Sequence, residues 1–237
     1  MSIRNMGFGD SIQGGFDSDR FESARAEQEA ADAAREKNRG KPWRFHMKPN
    51  TEANVVFITD GDDFKMVKEH NVQLNGKWGN FFTCPSTVGK SCPLCDGGDR
   101  SYDVGFFLVL DRREFTIQKG KRRGEKVSDQ IRIFAAKTRT LDQLGKLYSK
   151  YGTLSGIEFD VSRSDDRSAN VGDQFLPENE REPYDMETIA AFAGRDVEEL
   201  EEFDWEEYLE ILPKSKLVSV AKGLANALDD EDDVDMD

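Results

Sequence analysis

Between Pro42 and Asp173 the apolar residues fall into short runs that suit strands: residues 43–47, 53–58, 104–110, 130–134 and 157–161. Ile131 and Ile133 alternate cleanly around Arg132, the period of two that a half-buried strand requires. Gly and Asn turn signals separate the runs. One stretch changes period. Leu141, Leu144, Leu147, Tyr148 and Tyr151 recur at spacings of three and four, which predicts a helix capped by Thr138 or Thr140 and stopped at Gly152. Five strands with one helix ahead of the last predict a mainly β, α+β fold around a small closed five-stranded barrel.

The flanks have other patterns. Residues 1–19 hold too few apolar groups to offset the entropy of ordering, and predict a disordered arm. Residues 19–38 are rich in Ala, Glu and Arg, with Asp17, Ser18 or Asp19 as cap and Gly40 as stop, so a peripheral helix is expected there. Beyond Glu178, acidic helices are predicted over 186–193, over 197–212 up to Pro213, and over 216–228. The organisation expected is an N-terminal arm (1–40), a core (41–176), an acidic helical region (177–228) and an acidic tail (229–237).

Charge sharpens that division. The chain of 237 residues carries a formal −14, yet residues 1–40 contribute −2, residues 41–160 contribute +5 and residues 161–237 contribute −17. Residues 112–139 alone hold ten basic and three acidic side chains. A basic middle with an acidic end suits a polyanionic ligand and a competing or partner-binding tail. No run of about 18 apolar residues could span a bilayer, and the N-terminus lacks a secretory signal, so the cytoplasm is the expected compartment.

Chemistry concentrates in His70-x13-Cys84-x7-Cys92-x2-Cys95. The Cys92-Pro93-Leu94-Cys95 knuckle aims two sulfurs at one ion, and one imidazole with three thiolates is the tetrahedral set that structural zinc prefers. One structural Zn²⁺ is therefore expected, stapling the long insertion between strands. The nucleobase deaminases share His/Cys/Cys ligands, but their histidine is followed two residues later by a catalytic Glu, whereas His70 leads Asn71-Val72. No catalytic residue is expected, and the chain is not predicted to be an enzyme.

Aromatic and basic residues cluster around this motif, the usual means of stacking bases while following phosphates along a single strand. The candidate stackers are Trp43, Trp78, Phe82 and Tyr102. The candidate phosphate contacts are Lys65, Lys68, Lys77, Arg100, Arg112, Arg113, Lys121, Arg122, Arg123, Lys126, Arg132, Lys137 and Arg139. A barrel carrying them would be of the OB-fold type, which binds oligonucleotides on its strands and loops. The tail acids Asp229, Asp230, Glu231, Asp232, Asp233, Asp235 and Asp237 are the candidate partner-binding residues. The alternative is a zinc-containing protein-interaction module of a replication or transcription complex, with little direct affinity for nucleic acid.

Several stretches together carry a family resemblance: Lys48-Pro49 ahead of the strand at 53–58, Glu69-His70-Asn71-Val72, the turn from Asn75 to Asn80 through Trp78, the Cys84/Cys92/Cys95 spacing, and Phe159-Asp160-Val161-Ser162-Arg163. Residues 42–175 resemble the bacteriophage single-stranded DNA-binding proteins, the zinc-bearing family of the T-even helix-destabilising protein. The resemblance implies an OB-fold, DNA in a basic cleft, His70, Cys84, Cys92 and Cys95 as metal ligands, and a tail that recruits replication and recombination proteins. It further implies a role in DNA replication, recombination or repair in the host cytoplasm, without sequence specificity. Self-association along DNA belongs to the same expectation, although the family's basic N-terminal cooperativity motif has no counterpart here, Arg4 being the only cation before Arg20.

Overall fold

The computed structural model describes residues 41–74, 77–118, 122–178 and 182–222, with Arg25 and Gln28. Most of the helix expected at 19–38, Lys121 and the tail at 229–237 lie outside the described residues.

The chain forms an antiparallel sheet with a few helices. Its strands are β1 (Thr51–Phe57), β2 (Lys65–Leu74), β3 (Lys77–Thr83), β4 (Tyr102–Asp111), β7 (Gln130–Lys137), β8 (Glu158–Arg163) and β9 (Gln174–Pro177), in the order β3-β2-β4-β1-β8-β9, with β7 on β4. A two-stranded arm, β5 (Phe115–Thr116) with β6 (Lys126–Val127), projects between β4 and β7. Strand β4 is the hub. One edge pairs with β7 along residues 104–111, while the other pairs with β2 over 102–106 and with β1 over 109–111.

The faces of β4 explain its unbroken apolar run. Phe107 and Val109 join Val55, Phe57, Phe134 and Phe159 in one core, against Leu144 of helix α2 (Thr138–Tyr151). Gly105 lets this helix approach, since a Cβ there would sit 2.6 Å from Leu141 Cδ2 and 2.9 Å from Phe64 Cδ2. Val104, Phe106, Leu108 and Leu110 face the other way, into a second core with Ile189, Leu200 and Tyr208. These come from helices α3 (Met186–Ala193), α4 (Val197–Glu201) and α5 (Trp205–Tyr208). A strand buried on both faces has no polar position to alternate with.

Two expectations are met closely: α2 ends at Gly152 in the left-handed conformation, although its cap is Lys137 rather than Thr138 or Thr140, and α3 spans 186–193. Of the helix expected over 216–228, the described residues are helical from 214 to 222 and the rest lie outside them. The single helix expected over 197–212 is instead two. Asp204 breaks it, accepting from the Glu207 amide at 2.7 Å and so capping α5. The closed barrel is corrected too. Among the described residues β7 and β9 do not pair, and the segment 43–47 bridges the gap, with Phe45 N donating to Ile133 O and Met47 N to Asn170 O, both at 2.8 Å. That segment, expected as a strand, makes only an isolated bridge at Arg44. No helix among the described residues is long and apolar enough to cross a membrane.

Candidate metal centre and its surroundings

The metal motif is built on a hairpin. In β2, His70, Val72 and Leu74 alternate onto one face, and His70 stands opposite Phe82 of β3. The chain leaves β3 at Cys84, whose amide bonds to Lys68 O at 2.8 Å, then turns through a short 3-10 segment, Pro85–Val88, closed by Gly89 at φ +73. Pro93 opens the one-turn helix α1 (Pro93–Asp96), suited to a position whose N–H needs no partner. One turn brings Cys95 beside Cys92, and Asp99 N bonds back to Leu94 O at 3.0 Å.

The four ligand atoms lie within 4.8 Å of one another, close enough to hold one metal ion. Cys84 Sγ is 3.7 Å from Cys95 Sγ, while His70 Nε2 is 3.4 Å from Cys92 Sγ and 3.5 Å from Cys95 Sγ. A tetrahedral zinc with Zn–S of about 2.3 Å and Zn–N of about 2.0–2.1 Å has S–S edges of about 3.8 Å and S–N edges of about 3.5 Å. The donor set and its spacing are therefore compatible with a structural zinc. His70 is wholly buried, and its Nδ1 meets Asp99 Oδ2 at 2.5 Å, which leaves Nε2 for the ion.

The thiols are unequal. Burial raises Cys84, but the Ser86 hydroxyl and amide and then His70 outweigh it and pull the thiol down to about 6. Burial pushes Cys92 up to about 12 and also raises Cys95. A divalent cation supplies the positive charge needed for all three to ionise together. Beneath the ligands, Val72, Leu74, Phe82 and Leu94 pack against Leu212, Leu217 and Val220, the last two in a final helix described over residues 214–222. The acidic C-terminal region thus rests on both the sheet and the metal loop.

On the other face of the hairpin, Glu69 and Phe81 hold Arg44. The Arg44 guanidinium lies 3.7 Å from the Phe81 ring centroid and binds both carboxylate oxygens of Glu69, NH1 at 2.8 Å. Glu69 also accepts from Tyr102 Oη at 2.9 Å. Burial would lower the Arg44 pKa, but the Glu69 hydrogen bond and charge outweigh it and raise it.

The candidate nucleic-acid residues divide. Trp43 and Trp78 are exposed, at 78% and 66%, whereas Phe82 is fully buried under the ligands and offers no ring face to a ligand. Tyr102 is half-buried, with Lys137 Nζ 4.0 Å above its ring. Lys65, Lys68, Lys77, Arg100, Arg123 and Arg139 are exposed. Arg112 is tied to Asp129 at 3.0 Å and Arg113 to Asp111 at 2.7 Å, while exposed Arg122 and Lys126 pair with Glu125 and Glu114. No functional role is read from the sequence for Asp99 or Arg44, and Glu69 enters there only within the stretch that carries the family resemblance. Asp99 had a signal, an acid four positions past the last ligand.

An α+β chain with a four-residue candidate metal centre is thus the class that fold and site define. Compared with known proteins, the chain matches no family model, no curated protein and no solved structure.

Proposed function

We propose that the chain binds single-stranded DNA without sequence preference, acting in phage replication, recombination or repair, with a structural zinc fixing the β2–β3 hairpin. The observation that carries this is the placement of the two exposed tryptophans. Among the described residues seven phenylalanines are buried to within 2% of full exclusion, yet Trp43 and Trp78 stand in solvent beside cations, Trp78 next to Lys77 and Trp43 flanking the strand that carries Arg132. A fold that buries rings this thoroughly leaves indoles outside at a cost in hydrophobic energy, which base stacking would offset.

Strand connectivity supports the same reading. With the metal hairpin set aside as an insertion, β1 is flanked by β4 and then β7 on one side and by β8 and then β9 on the other, with α2 between β7 and β8. This order supports reading the sheet as an OB-fold left open between β7 and β9, where the 43–47 segment bonds to Ile133 and to Asn170 instead. Titration of the protein with labelled single-stranded and double-stranded oligonucleotides at several salt concentrations tests the proposal. Preference for the single strand, with log affinity falling by about 0.7 per log unit of salt for each phosphate contact, is expected. Equal, salt-insensitive binding of both would overturn it.

A further inference from the structure

Rings and guanidinium groups alternate where β4 ends and β7 begins. Arg113 Cζ lies 4.8 Å from the Phe45 ring centroid and 5.2 Å from that of Phe115, and Arg132 Cζ lies 5.0 Å from Phe115. Arg113 is fixed there, donating from Nε and NH2 to the buried Asp111 carboxylate at 2.9 and 2.7 Å and to His46 O at 3.1 Å.

Arg132 is placed differently. It is half-buried, and among the described residues no carboxylate or carbonyl accepts a hydrogen bond from it. Asp111 is engaged by Arg113, and the other acids of the segment between β4 and β7 are paired as well: Glu114 with Lys126, Glu125 with Arg122 and Asp129 with Arg112. A guanidinium stays charged at any physiological pH, and Asp111, the carboxylate whose charge reaches Arg132, is already held by two hydrogen bonds from Arg113.

Trp43 stands opposite it in the backbone register. Ile133 N donates to Trp43 O at 3.0 Å, and the parallel bridge pairs Arg44 with Ile133. In parallel pairing opposite residues share a face, so residues 43 and 132 lie on the face of Phe45 and Phe134, whose rings stack at 5.6 Å. Phe45 and Phe134 are core residues; one step outward the core ends and Trp43 emerges.

We propose that Trp43, Arg113, Phe115 and Arg132 form a subsite for one nucleotide of a single-stranded nucleic acid, with the base stacked on Trp43 and the backbone phosphate on Arg132. The inference rests on the function proposed above and assigns that function a place. The planar guanidinium presents a fork that matches a phosphate, and Phe115 holds its face. Stacking on an indole accepts any base.

The test is a titration of the full chain and its Trp43→Ala, Arg132→Ala and Arg132→Lys variants with fluorescein-labelled oligothymidylate, between roughly 50 and 200 mM salt. Trp43→Ala is expected to weaken binding about 5- to 100-fold with the salt slope unchanged. Arg132→Ala is expected to weaken binding and to lower the slope by about 0.7. Arg132→Lys, which keeps the charge and most of the buried stem, should restore the slope. Wild-type protein that binds while Trp43→Ala and Arg132→Ala bind equally well overturns the subsite and leaves the proposed function standing. Wild-type protein that ignores the oligonucleotide overturns both.

Discussion

Substituting Glu69 by Gln removes the counter-charge of a guanidinium sandwiched between rings. The Glu69 side chain is 3% exposed and that of Arg44 is 22% exposed, and Phe81 and Phe106 lie 3.7 and 5.2 Å from the guanidinium. Taking one partner from a buried pair costs about 3–5 kcal/mol, because the remaining charge stays desolvated. Glutamine keeps one acceptor, and Arg44 retains some contact with water, so a loss of about 2–4 kcal/mol is expected. At a urea m-value of about 2 kcal/mol/M that lowers the unfolding midpoint by about 1–2 M. Equilibrium urea unfolding followed by tryptophan fluorescence and by circular dichroism measures it, with both signals required to coincide. The Arg44→Met/Glu69→Leu double variant should recover most of the loss, since two apolar groups leave no charge stranded. A Glu69→Gln protein within about 0.5 kcal/mol of wild type at unchanged m would refute the reading that this pair holds the 43–47 segment to the hairpin.

Asp60 offers a pH test. Burial raises its carboxyl, but the amides of Leu154, Gly61 and Ser155 and the Thr153 hydroxyl outweigh that and hold it below its ordinary 3.8. A depressed folded pKa stabilises above the unfolded value and is lost as pH falls through the folded one, so the stability gap between wild type and Asp60→Asn should be full at neutral pH and shrink below about pH 4; a constant gap in unfolding melts would contradict this. Asp99→Ala frees His70 Nδ1 and should weaken metal affinity about 10- to 100-fold in a competition with a chromophoric chelator. Deleting residues 229–237 removes seven acids and should tighten single-strand binding at low salt, with the difference vanishing at high salt as the charges are screened.

What was legible in the sequence follows from which physical signals are local. The metal ligands could be read because coordination constrains spacing, and α2 could be read because its apolar stripe, Leu141 to Tyr148, is set by a single helix facing a single core. The β2–β3 hairpin was harder. His70, Val72 and Leu74 alternate ahead of Asn75-Gly76, but the metal motif drew these residues into a loop-like staple instead. The docking of the acidic helices could not be read, since Ile189, Leu200 and Tyr208 are sparse among carboxylates and their partners on β4 lie about ninety residues away in sequence. The open barrel could not be read either, since it depends on where Trp43 to Met47 lie against Ile133 and Asn170, a long-range pairing with no local signature. The break at Asp204 did have one, an aspartate three residues ahead of Glu207 in the pattern of a helix cap.

The most direct test of the metal-stapled hairpin is X-ray absorption on the purified chain, with metal content measured on the same sample. One zinc per chain, with three sulfurs at about 2.3 Å and one nitrogen at about 2.0–2.1 Å, is the result expected from His70, Cys84, Cys92 and Cys95. A folded protein that holds no metal, or a zinc shell dominated by oxygen, would contradict it.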